Sequence, residues 1–472
     1  MNKKQGLLVG ITLALLLPLS SCFVAKDYQR PVMNTRNLYR TDHLTDSAAL
    51  VMDSVSMASV SWRNLFSDTL LKQYIQTALD HNIDIRIALQ SIRAAEAYVK
   101  QGKAAFWPSV SISADYSYSK NSKNSQLGQL YQGAVNQYQL GAGLSWEADI
   151  WGKIRSQKRA YTATYLQTIE AHKAVTTQLV AQVAATYYQL AALSEQMAIA
   201  QKSIASRDSS LTTTKALKAA GQVTEVAVQQ TEAQLYDAKL ILLNLKQQER
   251  VLENAFCLLL NEPSHPVKRL PLNAQEVQTP LTTGVPADLL VNRPDVRQAE
   301  FALINAFELT NVARSNFYPS LTITAAGGLQ SIDIKNWFSV SSLFGNIAGD
   351  LLQPVFNRRQ IKTAYEVAQS QQQQALLSYE KALLTAGNDV SNALYDYQTQ
   401  SEAIKLEEQQ YEAYRKAVNY SEQLLINGLA NYLEVLTARQ SALAAQLNLV
   451  QARYARLYAV VQLYEALGGG WQ

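Results

Sequence analysis

Two cysteines, four histidines and a thin scatter of carboxylates are all that 472 residues offer for covalent or acid–base chemistry. His43, His81, His172 and His265 stand far apart, with no His-Glu-x-x-His or comparable ligand spacing, and no phosphate loop or nucleophile elbow occurs. The chain therefore reads as neither an enzyme nor a metal centre, with no cofactor expected. Cys257 lies in the apolar run Ala255–Leu260 and reads as an inert buried thiol. Cys22 has different surroundings. Lys3 and Lys4, an apolar core at Leu7–Leu19, and then Ser20 and Ser21 precede it. That order is an export signal whose core of about 13 residues is short of the roughly 20 a membrane span needs.

Leu19-Ser20-Ser21-Cys22 has the form of a bacterial lipobox, in which the cysteine becomes the lipidated first residue. The plainer alternative is an ordinary signal with an incidental cysteine. Several acyl chains on Cys22, each adding about 0.8 kcal/mol per buried CH₂, would anchor the chain and leave no partner for a disulfide with Cys257. The formal charge of +4 includes Lys3 and Lys4, so the remainder is too weakly basic to argue for nucleic acid.

The remaining polar candidates take their meaning from the elements that carry them, and those elements occur twice. Asp84-Ile85-Arg86-Ile87-Ala88 returns as Asp295-Val296-Arg297-Gln298-Ala299, and Phe106-Trp107-Pro108-Ser109 returns as Phe317-Tyr318-Pro319-Ser320. Both pairs are displaced by 211 residues, 84 to 295 and 106 to 317. Each half is a helix, an aromatic-Pro-Ser break and an alternating strand. The predicted organisation is a signal at 1–21, a tether at 22–61, a first repeat at 62–262, a Pro-rich linker at 263–292, a second repeat at 293–467 and a tail at 468–472. Asp295 and Arg297, behind Pro294, read as a helix-start feature.

Strands are predicted at 109–119, 138–150, 320–329 and 343–356. In the first, Val110, Ile112, Ala114, Tyr116 and Tyr118 alternate with Ser109, Ser111, Ser113, Asp115 and Ser117. In the second, Leu144, Trp146 and Ala148 alternate with Ser145, Glu147 and Asp149. Such two-faced hairpins suit a membrane barrel, with Asp115, Glu147 and Asp149 on the lumen side, and equally the half-buried sheet of a soluble protein. Helical hairpins are predicted at 152–260 and 359–467, turning at Gly221 and Gly428. Their apolar positions step by four and three (Leu179, Val183, Thr186, Leu190, Leu193, Met197, Ala200, Ile204, Arg207, Leu211), a heptad pattern too long for an ordinary globular helix.

Four membrane-length strands cannot close a barrel alone, and open edges are not tolerated in hydrocarbon. A trimer would supply twelve strands and stand the helical hairpins side by side as a hollow cylinder. The expected fold is thus a mixed α/β membrane protein with an internal two-fold repeat, a coiled-coil tunnel and a shared trimeric barrel. A purely structural coiled-coil lipoprotein would explain the rods but not the duplicated hairpins.

The chain resembles the TolC/OprM outer-membrane factors, in their lipoprotein branch, over essentially its mature length. The resemblance rests on Leu19–Cys22, on Asp27-Tyr28 with Pro31, and on Asn292-Arg293-Pro294-Asp295-Val296-Arg297 with Ala299-Glu300. Phe317–Ser320 and Leu467-Gly468-Gly469-Gly470-Trp471 complete it. It implies a homotrimeric exit duct in the outer membrane of a Gram-negative bacterium. The duct would reach into the periplasm and meet a periplasmic adaptor and an inner-membrane pump, usually of the resistance-nodulation-division type. Small-molecule efflux is the main expectation and a type I exit for polypeptides its rival; the cargo is not readable.

The resemblance also assigns the turns. Ala219–Thr224 and Asn427–Tyr432 would form the periplasmic tip, with Gly221 and Gly428 receiving the adaptor, although each glycine also suits a helix end needing positive φ. Leu433 matches a position that rings the closed aperture, and Glu434 one where an acidic ring occurs. Thr437 stands where some members carry Asp, and Arg439-Gln440 replaces the usual Gln-Arg order, a departure that leaves open whether the familiar salt-bridge latch is used. Glu225 is a further aperture candidate at the sister turn; solvated helix-end charges are the plain alternative.

Overall fold

The computed structural model describes residues 24–35, 38–40, 56–130, 133–275 and 286–471. Cys22 and the signal segment lie outside the described residues. Helix α1 (Thr69–His81) starts where Asp68 Oδ1 accepts from the Leu70 and Leu71 amides at 2.7 and 3.3 Å, and it buries Leu71, Ile75 and Ala78. Asn82 caps α2 (Ile83–Ala104) in the same way, its Oδ1 accepting from the Asp84 amide at 2.8 Å. Strands β1 (Ser109–Lys120) and β2 (Ala134–Ala148) follow, then the first helical hairpin, α3 (Lys153–Ala219) and α4 (Glu225–Leu260). The second half repeats the order with α5 (Pro294–Ser315), β3 (Ser320–Ser331), β4 (Leu343–Leu352), α6 (Gln360–Ile426) and α7 (Tyr432–Ala466).

Predicted strand bounds move, those of β2 and β4 by the most. β2 begins at Ala134 and stops at Ala148, two residues short of 150, because Asp149 turns away to cap α3. β4 ends at Leu352 instead of 356, ahead of Pro354, which has no amide for a ladder.

The chain divides into two compact units that are not the two repeats. One gathers 1–32, 92–167 and 299–379; the other gathers 33–91, 168–298 and 380–472. The first holds a four-stranded antiparallel sheet in the order β1-β2-β3-β4. The second holds α1, α4, α7 and the parts of α3 and α6 from 168 and 380 onward. Helices α3 and α6 each run 67 residues, about 100 Å at 1.5 Å per residue.

The predicted heptad seam holds in the distal part of the first hairpin, where Ile204 and Leu211 pack with Val228 and Leu235, and Leu193, Met197 and Ala200 pack with Leu245 and Leu242. Arg207 occupies a seam position, buried, with Nη1 donating to the Gln234 carbonyl at 2.5 Å. Between Leu179 and Leu193 a single stripe is not enough to describe the packing. Val180, Ala184, Tyr187, Tyr188 and Ala191 are also buried, because Phe66 meets the Tyr188 ring and the linker reaches Tyr187, whose hydroxyl accepts from the Leu270 amide.

One buried carboxylate ties this region together. Asp68 Oδ2 accepts from the Tyr187 hydroxyl at 2.6 Å and the Gln275 amide at 2.8 Å, while Oδ1 serves the α1 cap. Asp68→Ala would leave those buried donors unpaired and should destabilise this unit by roughly 2–4 kcal/mol. Thermal unfolding of the detergent-purified protein checks this; a midpoint unchanged from the parent would contradict it.

Candidate functional site

No helix among the described residues is long and apolar enough to cross a membrane. The sheet is different. Its register places Val110, Ile112 and Ala114 beside Leu144, Ala142 and Leu140, and these beside Ala325, Gly327 and Leu329. β4 continues the face with Ile347, Gly345 and Leu343. Every strand therefore contributes to one continuous apolar face, and no protein covers it: Ile112 is 79% and Ile347 82% exposed. Such a face is stable only against hydrocarbon.

Aromatic rings mark both ends of that face. At one end Tyr116, Tyr138, Trp337 and Phe338 form a chain with centroids 5.0 to 5.6 Å apart. At the other, both copies of the aromatic-proline break are held by tryptophans: Trp146 Nε1 donates to the Phe106 carbonyl at 2.9 Å, and Trp151 Nε1 to the Pro319 carbonyl at 2.7 Å. Trp151 also packs on Tyr318 at 5.0 Å. Tyr138 pairs with Ser331, which lies 13 residues from Tyr318 along the chain. At about 3.3 Å per residue and a tilt of about 40°, that is roughly 33 Å of height, close to a hydrocarbon core with its interfacial belts.

The opposite face carries Ser109, Ser111, Ser113 and Asp115 against Ser145, Gly143, Gly141 and Gln139. Asp115 stands on it as predicted from the alternation. Glu147 does too, beside Thr322 and then Asp350 in the next strands, but its carboxylate is paired with Lys153 Nζ at 3.0 Å. Asp149 is beyond the strand. Its oxygens accept from the Ile154 and Arg155 amides at 2.8 and 3.1 Å and from Arg155 Nε at 2.9 Å, so it is a helix cap and not a free charge on the polar face.

The two hairpin turns share one construction. Gly221 has φ +72°, its amide donating to the Lys218 carbonyl and the Gln222 amide to Leu217. Gly428 has the same φ, with Gly428 bonded to Leu425 and Leu429 to Leu424. These are Schellman ends, which favour glycine because a Cβ is strained at that φ. A Cβ would meet nothing within 4 Å at either position, so the surface above both turns is open.

Between the arms lies a groove of about 900 Å³, lined by Ser209, Ser210, Gln222, Gly428, Tyr432 and Arg439 among others. Leu433, Glu434 and Thr437 are exposed on the first turns of α7, and Thr437 donates to the Leu433 carbonyl at 2.9 Å. Glu225 does not join them: it is clasped at its own turn by Lys218 and by Gln229, which donates at 2.8 Å.

Contacts that spacing did not indicate hold the arms together. Arg439 Nε donates to Glu422 Oε1 at 2.8 Å across the second hairpin, and its Nη1 reaches Ser210 of α3. The Thr231 and Tyr432 hydroxyls meet at 2.9 Å. The only sequence signal for the first pair was its placement on opposite arms about Gly428.

A second charged cluster closes the far end of α7. Arg293, two residues before the repeated motif, pairs with Asp295 at 2.8 Å and Asp389 at 2.6 Å and donates to the Ala466 carbonyl at 3.0 Å. Glu465 shares the neighbouring cavity of about 390 Å³. Burial pushes its carboxyl up to about 7; Arg293 holds it down in part, and Asp389 and Asp295 push it further.

A carboxyl raised above its ordinary 4.5 favours the fold while protonated, so its contribution is present below pH 4.5 and is lost as pH rises to about 7. Glu465→Gln should therefore gain on the parent as pH rises from 5 to 8, by on the order of 2 kcal/mol. Thermal unfolding across that range checks it, and parallel pH profiles would refute it. At the tip, Gly428→Ala should cost about 1 kcal/mol against a smaller loss for Gly428→Asn, read as faster amide exchange at Leu425–Leu429.

Comparison with known proteins agrees with this geometry. A family model described as "Outer membrane efflux protein" matches residues 74–262 and 285–469. The cation efflux system protein CusC of Escherichia coli O6:H1 is 27% identical over 457 residues, 97% of each chain. The solvent efflux pump outer membrane protein SrpC of Pseudomonas putida is 28% identical over 467 residues, again 97% of each. A crystal structure of CusC superimposes with a TM-score of 0.82 over 95% of this chain and 100% of that one. A sheet with one lipid-compatible face, a tip of paired helical hairpins and this match over most of its length place the chain in the outer membrane efflux protein family.

Proposed function

We propose that three copies form an exit duct that carries small toxic molecules from the periplasm through the outer membrane, gated at the helical tip. The observation that carries this reading is the sheet. In one chain β1 and β4 are both edge strands, with unpaired amides beside a face fit for hydrocarbon. Pairing β4 of each copy with β1 of the next removes all edges and gives twelve strands. The helices support the same assembly. Tyr236, Leu240 and Leu243 on α4 and Leu377, Leu384 and Leu406 on α6 are exposed apolar residues at helical spacing, and neighbouring copies would cover them.

At the tip, Leu433 and Glu434 would face the axis as an apolar ring and a ring of three carboxylates. Such a ring attracts cations and repels itself, so a closed state needs an opposing hold. Arg439 supplies one within each chain, through Glu422 and Ser210. The open space above Gly221 and Gly428 suits a periplasmic adaptor, and through it an inner-membrane pump of the resistance-nodulation-division type. The chain would need no cofactor beyond the lipid on Cys22.

That lipid is supported by position. Val24 and Ala25 are buried, the Asn311 side chain clamps both backbone groups of Lys26 at 3.2 and 2.9 Å, and Arg314 donates to the Val24 carbonyl at 3.4 Å. The first described residues thus sit beside the aromatic belt at the base of the strands, where an anchor belongs.

A strain lacking the gene should become sensitive to part of a panel of antibiotics, dyes, detergents and metal salts, and tagged protein should co-purify an adaptor. Intact secretion of polypeptides failing in that strain, with the panel unchanged, would instead favour a type I exit. In planar bilayers Leu433→Ala with Glu434→Ala, and separately Glu422→Gln, should raise single-channel conductance severalfold. Parent-like conductance in both would sink the gate assignment.

A further inference from the structure

A cavity of about 210 Å³ opens at the joint between strands and helices, walled by Ile150, Trp151, Tyr318, Pro354 and Ile361. Its charged lining is already engaged: Glu147 is paired with Lys153, and Asp149 caps α3. What the cavity offers a ligand is therefore mainly apolar and aromatic surface, with Ser315, Asn316 and Ser320 as its remaining polar lining. The room equals about seven groups of water or methylene size, at roughly 30 Å³ each, which suits the end of one alkyl chain better than a headgroup.

The N-terminal segment leads to this place. A side chain added at Gly152, between the cavity residues Trp151 and Lys153, would meet the Ala25 methyl at 3.0 Å. Arg314, which holds the Val24 carbonyl, directly precedes the lining residues Ser315 and Asn316. Cys22 stands two positions before Val24, a reach of about 7 Å at full extension. We propose that this cavity is the seat of one acyl chain of lipidated Cys22, so that the anchor is packed into the protein's own strand–helix joint as well as dissolved in the bilayer. The proposal rests on the lipidation reading above.

The full-length protein would be produced in a Gram-negative host fed a fatty acid carrying a diazirine and a terminal alkyne, irradiated, purified and digested. Mass spectrometry first reports whether the N-terminal peptide begins at an acylated Cys22. Without acylation, the lipidation reading and this proposal both fail. With acylation, the expected result is cross-linking of that peptide to the peptides carrying Trp151 and Ile361. Ile361→Trp, which fills the cavity, should leave acylation intact and lower that cross-link by about fivefold or more. Cross-links confined to Ile112 or Ile347 on the open sheet face, or an unchanged yield in Ile361→Trp, would overturn the seat while lipidation stands. Equal labelling of the Trp151 peptide in a Cys22→Ala chain would assign the cavity to bilayer phospholipid and overturn it as well.

Discussion

A backbone amide or carbonyl in hydrocarbon must find its partner in protein, and this chain leaves two rows of them open. β1 pairs only with β2 and β4 only with β3, although the face they share is apolar from Val110 to Ile347. In water such edges would invite aggregation, and in lipid each unpaired group costs several kcal/mol. Closure with one further chain would pair the edges too, but eight strands of this length enclose little more than their own side chains and leave no duct. Pairing of these edges with other copies is therefore a condition of the sheet being in the membrane at all.

The repeat is the means. Each half turns from helix to strand at an aromatic-proline break, and each break is tied by a tryptophan from β2 or just after it. The proline ends the helix and the rings sit where membrane meets water, so one short motif sets both the change of structure and its depth. The halves then differ in detail. Asp149 caps α3 after β2, whereas β4 stops before Pro354 and hands over to α6 through Arg358 and Arg359 at positive φ.

Much of this was legible in the residues. Alternation of Val110, Ile112 and Ala114 with serines gave the face of β1, and Gly221 and Gly428 gave the turns, because period and positive φ leave local marks. Asp149 was misplaced on the polar face because strand alternation runs on through it, and only the start of α3 four residues later reveals a cap. The two long-range hydrogen bonds to Asp68 were invisible: Tyr187 and Gln275 are 119 and 207 residues away, and no periodicity links them. Arg207 stands at a heptad position of the apolar stripe, and the seam accommodates it by a backbone acceptor and the nearby charge of Asp237, although burial and Arg439 both lower its pKa.

The tip shows how one exchange of neighbours redirects a charge. Successive helical residues differ by about 100° around the axis. An arginine at 440 would stand close to the face of Leu433 and Thr437, seven and three residues before it, where an acid at 437 could meet it. Here 437 is threonine, its hydroxyl turned back to the Leu433 carbonyl, and 440 is glutamine. The guanidinium at 439 points instead to Glu422 on the other arm of the same hairpin and to Ser210 on the sister hairpin. The contacts of this guanidinium therefore lie inside one chain, and separating the hairpins of that chain must break them.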